Sequence, residues 1–109
     1  MVVDVPILDS ERLLTEETAR EKRGEIVNVV LDNIKQVKAV DKGYGLRFSP
    51  DGESLLLLSD WIYVERLCNP FLRFVLKVES NNGPVWLEIS GPAGTQDFLK
   101  SEFALNRWL

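Results

Sequence analysis

Cys68 is the single thiol in a chain of 109 residues that holds no histidine, so nucleophilic chemistry would have to start from this sulfur without an imidazole base. Its neighbourhood opposes that role. Cys68 falls in the last turn of a predicted helix, where the dipole is negative, and Glu65 three residues earlier shares its face; both disfavour a thiolate. A small hydrophobe under a helix end is the plain alternative. The lack of histidine excludes imidazole-dependent dyads and triads and the histidine-containing zinc sites. One cysteine cannot form an internal disulfide or a multi-thiolate metal cage within one chain. A thiol-dependent soft-metal binder or sensor would therefore rest on Cys68, with Glu65 and a partner subunit.

Other chemistry finds little material. Carboxylate pairs such as Asp60 with Glu65, or Glu79 with Glu88, lack a spacing that implies a shared acid-base site, and solvated charge accounts for them. Gly91 to Gly94 and Asp51-Gly52 each precede a predicted helix and have the outline of an anion-binding turn. Neither continues into a P-loop or a complete glycine-rich dinucleotide fingerprint, so turn chemistry explains both. No catalytic residue and no cofactor is assigned. An enzyme using carboxylates in a sheet-helix groove is the least favoured class.

The charge balance, 13 Lys+Arg against 17 Asp+Glu for a net −4, opposes non-specific attraction to phosphate backbones, and no long basic run or RNA-binding aromatic motif appears. Nucleic acid is not an expected partner. The longest apolar run, Leu55 to Leu58, is far short of the roughly 20 residues that cross a bilayer. Met1 to Leu8 carries an Asp and a Pro and lacks the basic region and long apolar stretch of a signal peptide. These features predict a soluble cytoplasmic protein, and the length suits one domain with one core.

The elements that must position any site follow from periodicity. Val2 to Leu8 is expected as a short edge strand or an ordered arm within residues 1–14, because Pro6 confines a strand there to a sheet edge. Thr15 offers an N-cap and Leu14 a staple against Ala19 for a helix over 16–34, with Ala19, Ile26, Val27, Val30 and Ile34 at helical spacing. Gly24 in its middle predicts close approach by a neighbour. Gln36 to Asp41 and Tyr44 to Phe48 form a hairpin about Lys42-Gly43. Glu53 to Cys68 reads as a second helix, apolar on more than one side: Leu55, Leu58 and Ile62 make one stripe, Leu57, Trp61, Val64 and Cys68 another, and Leu56 and Tyr63 lie away from both.

Leu72, Phe74, Leu76 and Val78 alternate with Arg73, Val75 and Lys77, and Val85, Leu87 and Ile89 alternate with Trp86 and Glu88. Asn81-Asn82-Gly83 supplies residues tolerant of positive φ between them. Facing Val78 with Val85 sets Leu76 on Leu87 and Phe74 on Ile89, so every apolar partner falls on one side. A last helix is predicted from Thr95 to Arg107, with Phe98, Leu99 and Phe103 inward. Superposing Tyr44 to Ser49 on Val85 to Ser90 matches inward residues and suggests an internal repeat, whether by duplication or by coincidence of two similar units. The predicted fold is α+β: a two-layer sandwich of an N-terminal helix plus two ββα units, with a four-stranded, mainly antiparallel sheet and helices on one face.

The segment Glu65-Arg66-Leu67-Cys68-Asn69-Pro70-Phe71-Leu72-Arg73-Phe74, with Gly83-Pro84-Val85-Trp86-Leu87 and Ser90-Gly91-Pro92-Ala93-Gly94 further on, resembles a family of small uncharacterised bacterial proteins of unknown function. Members read Glu-Arg-x-Cys-Cys-Pro-Phe at the first site and Gly-Pro-x-Gly at the last. The resemblance spans Thr15 to Phe103 and implies no established activity. The family's paired cysteines suggest thiol or soft-metal binding. Here Asn69 occupies the second cysteine's place, and an amide does not replace a thiolate ligand.

Trp86 points away from the helices on the predicted hairpin, near Lys77 and Val75. Either Lys77 covers the ring, or Phe71, Val75 and Trp86 form an apolar patch that a second copy buries. Leu56, Tyr63 and Trp108 add further surplus apolar surface. The sequence therefore predicts a non-enzymatic binding or interaction module that forms a homodimer, with Phe71, Val75, Trp86, Leu56, Tyr63 and Trp108 as interface candidates.

Overall fold

The computed structural model describes residues 16–109, so the expected strand or arm at Val2 to Leu8, the Thr15 cap and the Leu14 staple lie outside the described residues. Helix α1 (Glu16–Asn33) leads into strands β1 (Gln36–Val40) and β2 (Gly43–Phe48). Helix α2 (Gly52–Cys68) precedes β3 (Arg73–Val78) and β4 (Val85–Ser90). Helix α3 (Thr95–Glu102) is followed by a 3-10 turn at Leu105–Trp108. The four strands form one antiparallel sheet in the order β1-β2-β4-β3. This is the predicted α+β architecture.

Local chemistry accounts for the element ends. Asp51 accepts a hydrogen bond from the Ser54 amide at 2.8 Å, which satisfies one of the orphan donors that open α2. Val40 pairs with Gly43, so the first hairpin turns through Asp41-Lys42, one residue earlier than Lys42-Gly43, and Lys42 takes the positive φ. Gly43 is needed for packing instead. A Cβ there would lie 1.9 Å from the Ile89 carbonyl oxygen, so only glycine lets β2 and β4 approach at this point. In the second hairpin Asn81 and Asn82 both adopt positive φ, as their short polar side chains allow.

The register of that hairpin is the predicted one: Phe74 faces Ile89, Leu76 faces Leu87 and Val78 faces Val85. In the central ladder Leu46 pairs with Leu87, the same two residues that the repeat alignment superposes. The core joins Leu46, Phe48, Val85, Leu87 and Ile89 of the sheet to Val30 of α1, Leu58, Trp61 and Val64 of α2, and Leu99 and Phe103 near the C-terminus. Full burial of each such side chain is worth about 1.5–3 kcal/mol, which makes this layer the main stabilising element.

Three expectations are corrected. Gly24 is exposed with nothing near the position of a Cβ, so no neighbour approaches it and it simply weakens the helix. The last helix ends at Glu102, not Arg107, because Ala104 turns left-handed. Phe103 and Leu105 are both buried; two residues apart in a helix would face opposite sides, so burying both requires the break. Finally, the inward row of β3 is not covered along its length. Leu72 just before the strand is buried and Phe74 is half-buried, but Leu76 is 39% and Val78 57% exposed.

Candidate functional site

Two features of this scaffold stand apart from ordinary packing: a buried carboxylate at the junction of the helices, and the uncovered apolar row of β3. Glu65 lies on the inward side of α2, one turn after Trp61, and is fully buried. Its Oε2 accepts hydrogen bonds from Arg23 Nε of α1 and from Trp61 Nε1, both at 2.8 Å, and its Oε1 accepts from Asn69 Nδ2 at 2.7 Å. Arg23 Nη2 comes within 2.9 Å of Glu102 Oε2, outside hydrogen-bond geometry, so that buried nitrogen has a charge contact without a directed bond. The Arg23 guanidinium lies 5.4 Å from the centre of the Phe103 ring, which meets Trp61 edge-on at 5.5 Å.

Together these partners use both carboxylate oxygens inside the fold. The group therefore ties α1, α2 and the end of α3 together and has no face open to a reactant. Arg23 was not among the residues singled out from the sequence. Its signal is its position, four residues after Ala19 and three before Ile26, which sets a cation on the apolar stripe of α1 and calls for a buried counter-charge. Asn69 serves as a donor to Glu65 and closes α2 through its backbone N–H to the Glu65 carbonyl. Cys68 beside it is half-buried against the core. Among the described residues no group of three or more cysteines and carboxylates is placed to hold a metal ion.

On the outer face of the sheet the cation over Trp86 is not the expected one. Lys77 does not lie over the indole; it pairs with Glu88 at 2.8 Å. Lys38 of β1 covers the ring instead, its Nζ 4.4 Å from the centroid. Gly45 lies between them on β2, and its missing side chain lets Lys38 reach across to β4. Val75 is half-buried on this face. Phe71, exposed at the corner before β3, packs edge-on against Phe98 at 5.1 Å.

The remaining interface candidates are scattered. Leu56 is 70% exposed on the outside of α2. Tyr63 is half-buried against the core with its hydroxyl shut away from solvent and without a hydrogen-bond partner. Trp108 packs partly on the core under Arg107. The residues that do form one continuous exposed apolar surface, Leu76 and Val78, were expected in the core.

Surface depressions lie elsewhere on the described residues. One of about 230 Å³ is lined by Val29, Asn33, Asp51, Ser54 and Leu57, and one of about 250 Å³ by Val40, Lys42, Arg73, Glu88 and Ser90. The turns with anion-binding outlines find partners internally: Asp51 caps α2, and the Gly91 and Thr95 amides donate to the Lys42 and Pro92 carbonyls at 3.2 and 3.1 Å. No helix of the described residues is long and apolar enough to cross a membrane. No protein-family model, curated protein or solved structure matches the chain.

Proposed function

We propose that the protein is a non-enzymatic interaction module that works as a homodimer in the cytoplasm, where a lone thiol such as Cys68 stays reduced. The observation that carries this reading is the exposed row of Leu76 and Val78 on the core face of the sheet. Their opposite numbers on β4, Leu87 and Val85, are sealed. Contiguous apolar surface on the packing side of a sheet is a feature of contact surfaces. The absence of histidine from the sequence and the internal saturation of Glu65 agree with a role in binding over one in bond-making.

The alternative, a soft-metal binder or sensor at Cys68, has less support, because Glu65 has both oxygens committed to partners within the fold. Sedimentation equilibrium across the micromolar range tests the dimer. A mass twice that of the 12.4 kDa chain is expected. A single-chain mass at every concentration would reject it.

A further inference from the structure

We propose that β3 pairs with β3 of a second copy, antiparallel and centred on Leu76, so that two four-stranded sheets become one of eight strands. This deepens the homodimer reading and rests on it. β3 ends the strand order, so one side of its backbone has no neighbour among the described residues. An edge of this kind presents a row of unpaired donors and acceptors, and natural edges are usually blunted by proline, bulges or inward-pointing charge. β3 has no proline, bulge or inward-pointing charge, and its blunting cations, Arg73 and Lys77, lie on the outer face alone. Its ladder with β4 runs without a bulge over six residues, and its inward row of Phe74, Leu76 and Val78 is apolar throughout.

Charge selects the register. A two-fold pairing that keeps like faces together must centre on a residue, and each centre sets different side chains opposite one another. Centring on Val75 opposes Arg73 to the partner's Lys77, twice. Centring on Arg73 or Lys77 opposes that cation to its own copy. Centring on Phe74 brings Pro70, which has no N–H to donate, against the partner's Val78. Centring on Val78 would need Asn81 extended, whereas its φ is +58°.

Centring on Leu76 avoids all of these conflicts. Leu76 meets the partner's Leu76, and Phe74 meets the partner's Val78 on the apolar face. On the outer face Val75 lies beside the partner's Lys77, and Arg73 meets the partner's Glu79 at both ends. Arg73 and Glu79 are exposed, and neither is needed by the core. The exposed Leu76 and Val78 side chains of the two copies then join into a single apolar strip across the dimer axis.

The test is a charge swap read by sedimentation equilibrium. Arg73→Glu or Glu79→Arg alone sets like charges at both ends and is expected to weaken self-association about tenfold. An equimolar mixture of the two variants restores opposite charges at both ends, so it should recover the strength of the unaltered protein as a mixed pair. The double swap R73E/E79R should recover it as well. Leu76→Lys, which puts two ammonium groups at the axis, should leave a single-chain species with an unchanged circular dichroism spectrum.

If the unaltered protein dimerises and none of these variants changes that, edge pairing is overturned while the homodimer stands on another surface. If the unaltered protein is a single chain throughout, both fail; occupation of the β3 edge by the chain's own first residues would appear in this way.

Discussion

Leu87 and Leu76 face each other across the ladder between β4 and β3, on the same side of one sheet. Yet Leu87 is completely buried and Leu76 is 39% exposed. The sheet thus has two regions. Over β2 and β4 the helices close the inner face, and α1 is fastened to α2 and to the end of α3 through Arg23, Glu65 and Glu102. Along β3 the cover runs out between Phe74 and Leu76. Alternation in a strand specifies which side chains share a face; whether that face is dry depends on the reach of the layer above it.

The largest contrast should come from truncating the two facing leucines. Leu87→Ala is expected to cost about 4 kcal/mol, since it empties a sealed site. Leu76→Ala should cost about 1 kcal/mol in dilute protein, because much of that side chain is already wet. Urea unfolding of both variants at low concentration measures the difference, and equal losses would abolish the distinction between the two regions. The same comparison at high concentration sharpens it: the cost of Leu76→Ala should grow as the protein self-associates, whereas that of Leu87→Ala should not.

Next in size is the fastening of the covered region. Glu65→Gln removes the buried one of the two carboxylates beside Arg23, leaving only the more exposed Glu102, and turns an amide toward three donors, so a loss of about 3 kcal/mol is expected in thermal or urea unfolding. A loss below about 1 kcal/mol would mean that the junction does not hold the helices together. The smallest effect has the opposite sign. Gly24→Ala, on an exposed stretch of α1 with open space around it, should stabilise the protein by about 0.7 kcal/mol. Because it lies far from any role at β3, it should leave the sedimentation behaviour unchanged.

Much of the framework was legible in the sequence because its signals are local. Helix and strand periods, the paired asparagines of the second hairpin and the inward matching of Leu76 with Leu87 each depend on residues close in the chain or on one ladder. The errors came from quantities that need a third element. Gly24 resembled a packing site because a glycine in a helix is costly, but a real neighbour is visible only in space. Lys77 was the nearest cation to Trp86 in the strand pattern; Lys38 takes the place because Gly45 leaves a gap on the intervening strand. Arg23 sat in view on an apolar stripe, yet its partner Glu65 is 42 positions away.

The sequence by itself determined the α+β class, the element order, the register of the second hairpin and the scarcity of groups suited to catalysis, because side-chain period, turn chemistry and residue type are properties of the chain alone. Tertiary structure decided that Glu65 is a buried tie, that the C-terminal helix breaks at Ala104, and that β3 keeps a bare edge with an apolar row beside it. Those outcomes turn on where the helices come to rest over the sheet, and that is set by packing many separate segments against one another at once.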